Sequence, residues 1–161
     1  MIRPLTGDDA GELAALMVEN RGFLAPFEPD RGERFYTVEG QRERLERDDK
    51  HAFAILDGEW IAGTVGLSNV VRGPLQSANL GYWVAERVNG RGLATKAVGE
   101  LIPIAFGELG LHRLEAGTLV DNLASQRVLE KNGFEQIGTA RGYLHIRGAW
   151  RDHMLFQRVA D

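Results

Sequence analysis

Apolar residues recur along the chain at two spacings, every second position and every third or fourth, and the changes between them mark out the elements. Ile2 to Leu5 reads as a short first strand. Thr6 then caps a helix in which Leu13, Leu16 and Met17 form a stripe at helical spacing, with Asp8, Asp9 and Glu12 at its positive end. The stretch "RGFLAPFEPD" carries Phe23, Leu24 and Phe27 but is interrupted by two prolines, so it predicts irregular backbone. Arg31 to Lys50 is charged throughout and predicts an exposed second helix. His51 to Leu56 and Trp60 to Val71 alternate as strands about the turn "DGEW", and "SANLGYWVAE" continues as a fourth strand.

The second half follows the same logic. Leu93, Ala97, Val98, Leu101, Ile102, Ala105 and Leu109 recur at helical spacing, and Pro103 inside that run predicts a lost hydrogen bond and a bend. His112 to Val120 predicts a fifth strand, "DNLASQRVLEKNGF" a short helix ended by Asn132-Gly133, and Phe134 to Ile146 with Trp150 to Val159 a last hairpin about "RGA". The order β-α-α-β-β-β-α-β-α-β-β predicts one α/β domain over residues 1–161: a mixed sheet of about seven strands flanked by about four helices. Strands four and five flank a helix, which makes them parallel through a right-handed crossover.

Composition narrows the function. A length of 161 residues suits one domain, and 43% hydrophobic residues are enough for a real core. A net charge of −4 argues against a nucleic-acid surface, which needs a basic excess. With no cysteine, disulfides, thiol nucleophiles and thiolate metal sites all drop out. His51, His112, His145 and His153 show no metal-like spacing, and Asp152 and His153, adjacent on a strand, point to opposite faces, so no metal is expected. No apolar run approaches the ~18 residues of a membrane span. The opening residues lack the pattern of a secretory signal, so the expectation is a cytoplasmic protein with no membrane or nucleic-acid partner.

The strongest chemical signal is "NGRGLAT" (Asn89 to Thr95), set between strand four and a helix. Glycines there let the backbone approach an anion at the helix N-terminus, although an ordinary tight turn has the same look. A Walker A loop needs Gly-Lys-Ser/Thr where Thr95-Lys96 stands, and a Rossmann fingerprint needs a glycine at Thr95, so both fail. Asn89-Gly90-Arg91-Gly92-Leu93-Ala94 resembles the Gln/Arg-x-x-Gly-x-Gly/Ala loop of the GCN5-related N-acetyltransferases, with Asn89 departing from Gln/Arg. "LVDNLASQRVLEKNGF" (Leu119 to Phe134) resembles that family's second signature, and both occur in the family's order. "NRGFLAPFEP" (Asn20 to Pro29) and "ARGYLHIRGAWRDHMLF" (Ala140 to Phe156) look like the bacterial RimJ/RimL group, the latter closer to RimJ.

The resemblance implies the family's fold, with strands four and five splayed, and acetyl-CoA as co-substrate. Its pyrophosphate would lie on Gly90, Arg91, Gly92, Leu93, Ala94 and Thr95, beginning at Asn89, and its pantetheine arm against the backbone of Trp83 and Val84 and against Asn122. Asn122 has a second reading as a helix N-cap, Thr95 as a capping hydroxyl, and Arg91, Arg127 and Lys131 as plain surface cations rather than phosphate partners. Where many relatives carry a proton-donating tyrosine, seven positions after the asparagine, this chain has Leu129. Ser125 shares the helical face of Asn122 and Leu129 and is the candidate donor to the departing sulfur; otherwise it satisfies backbone in the helix's first turn. The group's glutamate in the last hairpin corresponds to Gly142, which leaves Glu28 as candidate base or, alternatively, a solvated loop carboxylate. Phe27 and Tyr143 are candidate acceptor contacts; core packing and an exposed hairpin aromatic are the other readings.

The resemblance implies an N-acetyltransferase acting on the N-terminal α-amine of a ribosomal protein or peptide, as a monomer or homodimer. An α-amine, with a pKa of roughly 7.7–8.0 against about 10.4 for lysine, needs only modest base assistance. The alternatives are a small amine or antibiotic as acceptor, and a catalytically weak acyl-CoA-binding sensor. An acidic cleft would favour a cationic small molecule, an apolar groove framed by Phe27 and Tyr143 a peptide.

Overall fold

The structure, a computed structural model, describes residues 1–47 and 51–161. Seven strands form one sheet: β1 (Ile2–Pro4), β2 (His51–Asp57), β3 (Trp60–Val71), β4 (Ser77–Val84), β5 (Arg113–Leu119), β6 (Glu135–Ile146) and β7 (Ala149–Val159). Their spatial order is β1-β2-β3-β4-β5-β7-β6. All neighbours are antiparallel except β4 and β5, which run parallel as their helical crossover requires. The helices are α1 (Ala10–Glu19), α2 (Arg21–Leu24), α3 (Val38–Leu45), α4 (Leu93–Pro103) and α5 (Leu123–Lys131). Among the described residues no helix is long and apolar enough to cross a membrane.

The parallel pair sets up everything that follows. It is in register only at Ser77↔Arg113, Ala78↔Leu114 and Asn79↔Glu115. Beyond that the two strands part: β4 stays with β3 as far as Gly63↔Val84, while β5 pairs along its full length with β7. A gap lined by unpaired strand edges therefore opens at the carboxyl ends of the parallel strands, as the family resemblance implies. Gly63 shows how closely β3 holds β4 here, since a Cβ on it would stand 2.1 Å from the Trp83 carbonyl oxygen. The core is one cluster in which Ala97, Val98 and Leu101 of α4 pack with Ile55, Val65 and Leu114 of the sheet and Leu129 of α5, all essentially inaccessible to water.

Three local expectations need correction. The first helix starts at Ala10, because Gly7–Asp9 form a separate 3-10 turn in which Asp9 is drawn back to the Thr6 N–H at 2.9 Å and to the Arg3 guanidinium at 2.9 and 3.0 Å. The proline-interrupted stretch still makes one helical turn, α2, since Pro26 follows it rather than lying within it. The exposed second helix is shorter than expected: a 3-10 turn at Glu33–Tyr36, then α3, capped by Thr37 Oγ1 accepting from Gly40 N at 3.0 Å, and its Gln41 is completely buried. The end of that expected helix, residues 48–50, lies outside the described residues. At Pro103 the helix changes type. With no N–H to give to Gly99, the chain slips into a π-type turn over Ile104–Glu108, where Leu109 N bonds Ile104 O at 2.9 Å.

Candidate active site

The loop before α4 lies at one end of the gap. A 3-10 turn at Glu86–Val88 brings the chain off β4, and Gly90 and Gly92 then take φ of +80 and +79°, a region that glycine enters freely. A Cβ built on either would meet nothing within 4 Å, so the loop presents open backbone. The first helical hydrogen bond is Lys96 N to Gly92 O at 3.1 Å, which leaves the N–H groups of Leu93, Ala94 and Thr95 ahead of it at the positive end of the helix. The Leu93 side chain is buried in the core, so only its backbone faces the loop. Asn89 is exposed, and its N–H bonds Glu86 O at 3.1 Å. Arg91 turns to the β2–β3 turn, where both its terminal nitrogens reach Asp57 at 3.0 Å. That double contact holds the Asp57 carboxyl below the usual carboxylate range. Arg127 and Lys131 are exposed.

The start of α5 lies across the gap. Asn122 caps the helix, its Oδ1 accepting from Ser125 N at 3.2 Å. Ser125 faces β4: the Tyr82 hydroxyl sits 2.8 Å from Ser125 Oγ and 3.0 Å from Ser125 O. Burial pushes the Tyr82 phenol up to about 12, opposed by the bond to Ser125, so the phenol keeps its proton. The Ser125 carbonyl can only accept. When it takes the phenol proton, the serine proton points at the phenol; when the phenol turns to Oγ, the serine proton is free to point into the gap. Leu129, although one helical face is shared, is wholly buried in the core and presents nothing to the gap. Val84 packs against that same core.

Two cavities flank β4. The larger, about 400 Å³, lies under α1, α2 and α3 and is lined by Phe27, Glu28, Arg31, Phe35, Arg44 and the Gly81–Trp83 segment, among others. Glu28 lies 3.6 Å from Arg31, yet burial outweighs that attraction and raises its carboxyl above the usual range. Burial lowers the Arg44 guanidinium, with the charge of Arg31 acting in the same direction. The smaller cavity, about 170 Å³, holds Tyr143 and His153 beside Asn79 and Glu115. Phe27 and Tyr143 thus line different cavities rather than framing one groove. Asp152 accepts from Gly142 N at 2.8 Å while His153 Nδ1 lies 3.1 Å from Arg151 O, so the adjacent pair have separate partners. Among the described residues no group of three or more His, Asp or Glu is placed to hold a metal ion.

Reasoning from the sequence missed Tyr82, Arg31, Phe35 and Arg44. A signal for Tyr82 was present, because strand alternation puts it on the face of Leu80 and Val84, and a phenol on an apolar face needs a partner for its hydroxyl. Also missed was Asn132, whose Nδ2 donates to Thr95 O at 3.1 Å and to Val128 O at 2.9 Å, tying the end of α5 to the first turn of α4.

With this geometry in hand, comparison with known proteins is specific. The sequence pattern of the acetyltransferase (GNAT) domain family matches residues 1–135. The probable N-acetyltransferase YjcK of Bacillus subtilis is 44% identical, over 96% of this chain and 90% of its own. The ribosomal-protein-S5-alanine acetyltransferase of Vibrio fischeri superposes with a TM-score of 0.95 at 34% identity, covering 99% of this chain and 92% of the other. Mycobacterium smegmatis RimJ, solved with CoA-disulfide, gives a TM-score of 0.89 at 33% identity over 99% and 81%. The glycine loop, the parted parallel strands and these matches lead to one conclusion: the chain belongs to the GNAT acetyltransferases.

Proposed function

We propose that the protein moves an acetyl group from acetyl-CoA to the N-terminal α-amine of a protein or peptide, by direct attack of the amine on the thioester. The observation that carries this reading is the Ser125–Tyr82 hydroxyl pair, set at the edge of the gap between β4 and β5 and opposite the glycine loop. The residues present fit the co-substrate. The amides of Leu93 to Thr95 suit a pyrophosphate, the unpaired edges of β4 and β5 suit the amides of the pantetheine arm, and Thr118 Oγ1 on the parted half of β5 is buried with no partner among the described residues. Relatives support the class of acceptor, since the V. fischeri enzyme is named for an alanine of ribosomal protein S5.

When bound, acetyl-CoA supplies an activated acyl group and a thiolate that must be protonated as it leaves. Ser125 Oγ would give its proton to the departing sulfur, while the Tyr82 hydroxyl behind it donates a hydrogen bond to Oγ and keeps its own proton at neutral pH; the proton shed by the attacking amine balances the transfer, and water returns one to Oγ. Glu28 serves the acceptor side. A carboxyl raised by burial is a better base near neutrality than an exposed one, and an α-amine needs only modest help. Arg31 beside it opposes that rise. Arg91 is taken up by Asp57, which offsets its charge instead of leaving it for the pyrophosphate.

The lining of the larger cavity bears on the rival acceptors. Its charged residues among those described are two guanidiniums and one carboxylate, a poor welcome for a polyamine or an aminoglycoside. The test is CoA release with acetyl-CoA and three acceptor classes: peptides with free Ala or Ser N-termini, lysine peptides with blocked N-termini, and polycationic amines. Turnover confined to the first class is expected. Turnover confined to the polycations would overturn the assignment, and CoA binding without turnover in any class would mark a sensor instead.

A further inference from the structure

The larger cavity holds more charge than a reacting amine requires. Arg31 and Arg44 both stack on Phe35, with Cζ 4.8 and 4.5 Å from the ring centroid. That platform is braced from below: Arg44 Nη1 donates to Gln41 Oε1 at 3.1 Å, and the fully buried Gln41 amide donates to Phe35 O. Glu28 offsets one of the two positive charges by its pairing with Arg31. The other remains, on a half-buried side chain, which is a costly place for a charge unless it meets an anion. A guanidinium presents its donors in a planar fork that matches a carboxylate.

We propose that Arg44, together with Arg31, forms a carboxylate-binding subsite in the acceptor cavity, so that the preferred acceptor is an amine carrying a carboxylate close to the reacting nitrogen. The proposal deepens the acyl-transfer reading and rests on it, because it places the amine beside Glu28. The charges then close. With Glu28 ionised, a neutral amine with one carboxylate brings the two guanidiniums and one carboxylate of the cavity from a net +1 to zero, whereas a polyamine raises it. The carboxylate has two possible sources, the α-carboxylate of a free amino acid or an acidic side chain near the N-terminus of a peptide.

The experiment measures binding and turnover on the CoA-loaded protein with two matched pairs of probes. One pair is an amidated peptide beginning Ala-Asp and its Ala-Asn counterpart; the other is L-alanine and L-alaninamide. In at least one pair the carboxylate member should bind about 10-fold tighter by titration calorimetry, the size of one charge-assisted hydrogen bond. The pair that discriminates identifies the source. Arg44→Gln should bring the ratio to within about 2-fold by weakening only the carboxylate member, and Arg44→Lys should restore part of it. Equal binding within both pairs in the wild type, or a preference that survives Arg44→Gln, overturns the proposal. Should Arg44→Gln fail to fold, Arg31→Gln and Arg44→Lys take its place, and a carboxylate preference unchanged in both overturns the proposal. Carboxylate-dependent binding with no turnover would sink acyl transfer to these amines and keep the subsite; turnover without discrimination would do the reverse.

Discussion

Tyr82→Phe tests the hydroxyl pair directly, because it removes one oxygen and leaves the ring packed against the core. The lost hydroxyl lies 2.8 Å from Ser125 Oγ and 3.0 Å from Ser125 O, but it carries a single proton, so one donated bond disappears rather than two. A net cost of about 1 kcal/mol follows, which for a domain of this size lowers Tm by roughly 2–4 °C. The effect on catalysis has a separate origin. Ser125→Ala takes away the proposed donor to the sulfur and should lower kcat by about 100-fold, the low end for loss of a positioned acid. Tyr82→Phe leaves that group in place without its support and should cost about 10-fold. If the two hydroxyls act as one unit, the double variant is no slower than Ser125→Ala alone, so the losses are strongly non-additive. CoA-release kinetics on the four proteins, with KM for acetyl-CoA recorded throughout, measure this. The phenol, pushed up to about 12, stays protonated well into the alkaline range, so the pH profile of Tyr82→Phe keeps its shape below pH about 10. Multiplicative losses, or a Tm change with kcat intact, would refute the pairing.

Glu28→Gln separates stability from function. Burial raises the carboxyl, so its ionised form costs the folded state; the cost is absent below the unfolded carboxylate's pKa of about 4.3 and grows as pH rises through the higher folded value. The variant should therefore gain Tm over the wild type at pH 7 but not at pH 4, while turnover falls; equal Tm differences at both pH values contradict the burial argument. Gly92→Val puts a branched side chain at φ +79° on the open face of the loop, and should cost about 1–2 kcal/mol of stability and at least about 10-fold in CoA affinity. Unchanged affinity by calorimetry would remove the loop from the site. Asp57→Ala frees Arg91 from its carboxylate, so CoA should bind more tightly and with a steeper salt dependence, whereas Arg91→Ala should change affinity by less than about 3-fold; the opposite ranking would make Arg91 a direct phosphate contact.

What the sequence disclosed and what it withheld divide along the range of the interactions involved. The strands and α5 were legible because each follows from residues within one element: β3 and β4 from alternation, α5 from its Asn122 start and Asn132-Gly133 end. The parallel relation of β4 and β5 followed from a general rule about crossovers. The charged stretch before β2 misled because Gln41, polar in sequence, is completely buried beneath Phe35, so a helix expected to be solvated is one that lines the larger cavity. The gap itself was supplied by the family resemblance rather than by pattern, and for a physical reason. Its width depends on where β5 leaves β4, and that is set by the bonds of β5 to β7, a partner some 40 residues later in the chain.

The same reasoning explains why Tyr82 and Ser125, 43 residues apart, could not be paired from their positions alone. Their meeting depends on how α5 sits against α4, and the described contacts give one side chain a central part in that. Asn132 joins Thr95 O to Val128 O, so the end of α5 rests on the first turn of α4, where the glycine loop delivers its amides. The glycine loop and Ser125 are therefore held relative to each other by the protein itself. They lie at opposite ends of a single helix pair, packed through Leu129 against Ala97, Val98 and Leu101 and tied at one end by an asparagine that reads in the sequence as nothing more than a helix stop.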